Sequence, residues 1–75
     1  SLNVDSLNAQ AAKLMERAPE QSLRVSLQSV QIALKTNYLS GHTRALNLAG
    51  QAYYQLNNYQ KALHYFSQAL DKATV

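Results

Sequence analysis

The chain has no cysteine and no tryptophan, a single proline and only two glycines. Without cysteine there is no disulfide framework and no thiolate metal site, and a reducing, cytoplasmic setting is the expectation. No apolar run approaches the roughly 18–20 residues that a membrane-spanning helix needs. The N-terminal Ser1-Leu2-Asn3-Val4-Asp5 has neither the charged start nor the apolar core of a signal peptide. With no initial Met, the sequence reads as an excised fragment. Acid is scarce as well. Carboxylates occur only at Asp5, Glu16, Glu20 and Asp71, so none falls between Gln21 and Leu70. That stretch still carries Arg24, Lys35, Arg44 and Lys61. Behind the net charge of +3 is therefore a surface of Gln, Asn, Ser and scattered cations. Such a surface suits an acidic partner, or an ordinary solvated face. It does not suit nucleic acid, because phosphate binding wants Lys and Arg in a clustered stripe.

What is present is helical periodicity. The 75 residues make one small domain, which buries only about 60–65% of its unfolded surface and is marginally stable. Leu7, Ala11, Leu14, Met15 and Ala18 form a first stripe. It predicts a helix over about 6–18, capped by Asp5 and stopped before Pro19. Pro19 and Glu20 suit the start of a second helix, over 19–36, with the stripe Leu23, Leu27, Val30, Ala33 and Leu34. A third helix is expected over 38–56, burying Ala45, Leu46, Ala49, Ala52, Tyr53 and Leu56. Gly41 is then tolerated inside it, at about 1 kcal/mol relative to Ala. Asn37 and Asn57-Asn58 are turn signals, since Asn accepts left-handed backbone. The fourth helix, over 59–73, has the stripe Tyr59, Ala62, Leu63, Phe66, Ala69, Leu70 and Ala73.

The second and fourth helices superimpose in sequence. Leu23, Ser26, Leu27, Val30, Ala33 and Leu34 match Tyr59, Ala62, Leu63, Phe66, Ala69 and Leu70 at a constant offset of 36 residues. Self-similarity at this period marks a helix-pair repeat. Leu46, Ala49-Gly50 and Tyr53, then Tyr59, Ala62, Phe66 and Ala69-Leu70, resemble the consensus of the tetratricopeptide repeat family. Leu46 replaces the usual Trp, and Thr74 stands where Pro usually breaks the helix, which would let the last helix run on. The helix at Asn8–Ala18 lacks the Gly and Tyr, so residues 1–36 read as a degenerate repeat and 37–75 as a well-formed one. The resemblance implies an all-α fold of two antiparallel helix pairs stacked as a short superhelix. The longer linker around Asn37–Gly41 resembles variants found in bacterial sensor and regulatory proteins, where such arrays precede an output domain.

Little else carries chemistry. His42 and His64 are 22 residues apart, with no acid at ligand spacing, and metal or general-base roles need converging groups. No cofactor, metal or catalytic residue is expected, and no nucleophile motif or phosphate loop is present. Tyr53, Tyr59 and Phe66 fall on the packing stripe, leaving Tyr54 and Tyr65 as the exposed aromatics. In the family, the first helix of each pair lines a concave groove where peptides bind. By that resemblance the groove residues are Arg44, Asn47, Gln51, Tyr54 and Gln55, and the partner is a protein or peptide. The same five also suit a plain solvated face. Some family members grip a C-terminal carboxylate with Lys and Asn on the first helix, but Ala11 and Met15 occupy those places here. Two helix pairs are fewer than such an array normally needs. Uncovered apolar surface on the last helices is therefore expected, and with it either self-association or continuation of the array in a larger chain.

Overall fold

The computed structural model describes the backbone of residues 2–73 and the side chains of residues 3–73. Thr74, read above as the missing helix stop, lies outside them. Four helices account for nearly all of this: α1 (Leu2–Leu14), α2 (Pro19–Lys35), α3 (Leu39–Gln55) and α4 (Tyr59–Ala73). No strand occurs among the described residues. The fold is all-α, an array of helical hairpins in which α3 lies against each of the other three helices. Its shortest dimension is 14 Å, the thickness of two packed helix layers.

The first helix departs from expectation. It begins at Leu2 rather than near residue 6, so Asp5 lies in its first turn and is no N-cap. The Asp5 carboxylate instead accepts the Tyr38 hydroxyl at 2.9 and 3.1 Å. The helix also ends at Leu14, four residues before Ala18. The chain spends Met15–Arg17 on a turn, and Ala18 takes extended backbone (φ −143°, ψ 69°) ahead of Pro19, as the proline ring requires.

The remaining boundaries fall within a residue of those predicted, and asparagine sets two of them. Asn37 and Asn57 have φ of 55° and 66°. Each is the left-handed residue that closes a helix C-terminus. Asn37 and Tyr38 donate back to Leu34 and Ala33, and Asn57 and Asn58 to Tyr54 and Tyr53. These paired bonds satisfy carbonyls that the helix end leaves free. Asn58 then caps α4, its Oδ1 accepting the Lys61 N–H at 3.3 Å.

The core is built on small side chains. α1 buries Val4, Asn8 and Ala11, and the turn after it buries Met15, a stripe rotated from the Leu7-Leu14 side, which is only half-buried. On α2 the buried residues are Ser22, Ser26, Ser29, Val30 and Ala33, while Leu23 and Leu27 are half-buried and Leu34 is 53% exposed. Serines lie at the interface because α1 and α2 approach too closely for leucine. Their hydroxyls are all bonded: Ser22 to the Ala11 carbonyl (2.7 Å), Ser26 to the Ser22 carbonyl (2.8 Å), and Ser29 to Asn8 Oδ1 (2.7 Å). Asn8 Nδ2 in turn donates to the Gly41 carbonyl at 3.2 Å, so one amide ties α1 to α2 and α3. Gly41 and Gly50 mark two further close approaches. A Cβ on Gly41 would lie 2.5 Å from Val4 Cγ1, and one on Gly50 would lie 2.7 Å from the Phe66 ring.

Candidate protein-interaction surfaces

α3 has one buried side and one wet side. Gly41, His42, Ala45, Leu46, Leu48, Ala49, Gly50 and Ala52 are buried. Arg44, Asn47, Gln51, Tyr54 and Gln55 are all exposed. Their spacing of three, four, three and one places them in a single stripe along the helix. A guanidinium, three carboxamides and a phenol on one rigid surface can bond a peptide backbone and pair an acidic side chain.

The aromatic side chains sort differently from the sequence expectation. Tyr53 is half-buried, but Tyr59 is 57% exposed. It opens α4 beside the last turn of α3, where its ring lies 5.3 Å from that of Tyr54 and its hydroxyl donates to Asn57 Oδ1 at 3.0 Å. Tyr54 is 59% exposed, as expected. Tyr65 is instead half-buried, packed against Val30, Ala45, Leu46 and Ala69 and stacked on Tyr53 at 5.4 Å. Burial raises its phenol pKa, and the neighbouring Tyr53 adds to the shift. Helical phase placed Tyr65 off the packing stripe of α4. It could not show that Tyr53 of α3 would reach across and cover it.

Residues 43–73 match the family model of the tetratricopeptide repeat. This segment is a tetratricopeptide repeat. No curated protein and no solved structure matches the chain. Most of α3 and all of α4 make up the repeat, with Gly50 against Phe66 as the close contact between its helices. Tetratricopeptide repeats are in general modules for protein interaction and are typically not catalytic. The five exposed residues of α3 lie on the first helix of this repeat. Ala11 and Met15, by contrast, are 0% and 7% exposed and belong to the core.

The second helix of the repeat is incompletely covered. Ala62 and Ala69 are buried, yet Leu63 is 67% and Leu70 64% exposed, with the half-buried Phe66 between them. Together with Tyr59 they form a continuous apolar row at spacings of four, three and four. The 36-residue equivalents on α2 are Leu23, Leu27, Val30 and Leu34. Of these, Leu23 and Val30 pack into clusters containing α3 residues.

The histidines also differ. His64 is exposed, 2.7 Å from Gln68 Nε2 and edge-on to Tyr65 at 5.5 Å. His42 is buried, and that burial, followed by repulsion from Lys72, lowers its pKa below 6.5. It lines a cleft of about 140 Å³ together with Leu34, Asn37, Leu39 and Lys72. Among the described residues no cluster of His, Asp or Glu is arranged to hold a metal ion, and no helix is long and apolar enough to cross a membrane.

Proposed function

We propose that the chain is a peptide-binding module of a larger, cytoplasmic regulatory protein, and that its contact surface is the exposed side of α3. The observation that carries this reading is the segregation of that helix. Arg44, Asn47, Gln51, Tyr54 and Gln55 are exposed together, while the opposite side of α3, from Gly41 to Ala52, is buried among three neighbouring helices. A surface held this rigidly loses little entropy when a peptide binds. The absence of carboxylates from Gln21 to Leu70 gives it an acidic preference, with Arg44 as the point of pairing. Selection of a displayed peptide library on the folded chain tests it. Enriched sequences should carry Asp or Glu and lose binding to Arg44→Glu and to Tyr54→Ala, with helical circular dichroism unchanged. Peptides that bind both variants as well as the parent chain would rule this surface out.

The apolar row Tyr59, Leu63, Phe66 and Leu70 favours a second reading, in which the segment is structural and pairs with another copy of itself. The row contains no charge, so pairing two of them desolvates no ion. Sedimentation should then show a dimer that Leu63→Lys dissociates. A strict monomer at high concentration would refute it.

A further inference from the structure

At the end of the repeat remote from Tyr54 and Tyr59, the last turn of α2, the start of α3 and the last turn of α4 enclose the 140 Å³ cleft. Its aliphatic lining is the buried Ala33 with Leu34 and Leu39, which are 53% and 52% exposed. Lys72 of α4 and Asn37 of the turn line it as well. His42 is only 8% exposed and makes no side-chain hydrogen bond. No fully enclosed side-chain nitrogen or oxygen among the described residues lacks a partner, so the unbonded ring nitrogens of His42, a lining residue of the cleft, keep some access to solvent. The first turn of α3 faces the same space without a side-chain cap, adding the positive end of a helix dipole. Among the described residues no acidic side chain lines the cleft. The other titratable group there is Tyr38, whose hydroxyl is engaged by Asp5 of α1.

We propose that this cleft binds a carboxylate carried on a short aliphatic body, the charge meeting Lys72 and His42 and the body lying against Leu34 and Leu39. The His42 ring nitrogens, accessible and bonded to no side chain or backbone group, are free to bond a ligand, and Lys72 and the helix terminus set the sign of that ligand. Phosphate fits less well, because charge on all its sides would be desolvated against two leucines. The site is separate from the exposed side of α3, so Arg44→Glu leaves it intact.

The probes are N-acetyl-leucine and its neutral amide, N-acetyl-leucinamide, titrated into the folded chain while the His42 imidazole is followed by NMR. The acid should give a saturable shift and raise the His42 titration midpoint, since a bound carboxylate favours the imidazolium. The amide should do neither. Lys72→Gln, at an exposed position that folding tolerates, should weaken the acid about tenfold, the scale of one charge-assisted bond. N-acetyl-glutamate α-amide and isovalerate, run alongside, separate a side-chain or free acid from a chain terminus as the source. Absence of saturation by every acid, an equal response to the amide, or undiminished binding by Lys72→Gln would each overturn the proposal.

Discussion

Replacing Gly41 by alanine sets two effects of known size against each other. Gly41 sits in the first turn of α3 with ordinary helical backbone, so alanine by itself should stabilise the helix by up to about 1 kcal/mol. Against this stands the space. The added methyl would lie 2.5 Å from Val4 Cγ1 and 2.6 and 2.7 Å from the Tyr38 ring. Val4 is 0% exposed, and a β-branched side chain in a helix has one favourable rotamer to occupy. It cannot turn away, so α1 must back off from α3 and stretch the Asn8 bond to the Gly41 carbonyl. Overpacking of this kind costs about 1–3 kcal/mol. The net effect is a loss of about 1–2 kcal/mol, or about 5–15 °C in melting temperature for a domain this small.

Gly50→Ala is the internal control. The three atoms nearest its methyl all belong to the Phe66 ring, the first at 2.7 Å, and that half-buried ring adjoins the uncovered side of α4, where it has room to swing. The propensity gain and the strain should nearly cancel. Thermal and urea melts followed by circular dichroism decide the comparison. In a Val4→Ala background the cost of Gly41→Ala should shrink, because the clashing methyl is gone. A Gly41→Ala chain that melts at or above the parent temperature would refute the close approach of α1 to α3.

The Asn8 bridge should be equally sensitive. Asn8→Ala leaves the Ser29 hydroxyl unpaired in the core, while the Gly41 carbonyl keeps its partner within α3 and loses only its second bond, and should cost about 1–3 kcal/mol by urea denaturation. At the left-handed C-terminus of α3, Asn57→Ala should cost about 1 kcal/mol in the same assay, whereas Asn57→Gly should stay within about 0.5 kcal/mol of the parent. The buried His42 predicts a pH dependence. Its folded pKa is depressed, so the unfolded chain binds the proton more readily. Its contribution to stability is complete above the unfolded value of 6.5 and is lost as pH falls through the lower folded value. Melting temperature should therefore drop between pH 7.5 and 5, and by less in His42→Gln.

The carboxyl-terminal half was the more legible because its packing is written in residue types that pattern reading recognises. Gly50 against Phe66, Ala62 and Ala69 facing α3, and the paired asparagines at 57 and 58 all do what their identities suggest. In the amino-terminal half the same close approach is made with serine and asparagine. Hydrophobic periodicity alone points to Leu7 and Leu14 and to a helix start near residue 6, whereas the buried side is Val4, Asn8 and Ala11 and α1 starts at Leu2. Polar residues at such contacts are intelligible only with their partners. Ser29 is a core residue because it donates to Asn8, and Asn8 because it finds a second acceptor in the Gly41 carbonyl, 33 residues away. No local periodicity carries that information. The cleft was hidden for the same reason. His42 and Lys72 are 30 positions apart, and only the return of α4 along α3 brings them to one space. The exposed side of α3 needed no such pairing, since a run of Arg, Asn, Gln and Tyr opposite small apolar residues already shows which way the helix turns. What neither pattern could reach was Tyr59. Its place in the repeat marks it as a packing residue, yet with no helix lying beyond α4 among the described residues it stands exposed beside Tyr54. Those two rings are where the wet side of α3 and the apolar row of α4 meet. A ligand gripping Tyr54 would therefore also touch the surface through which a second copy is proposed to pair. Peptide binding and self-association should compete, and a peptide selected on α3 should dissociate the dimer in sedimentation. If the two coexist at saturation, the surfaces are independent and the contact between Tyr54 and Tyr59 carries no coupling.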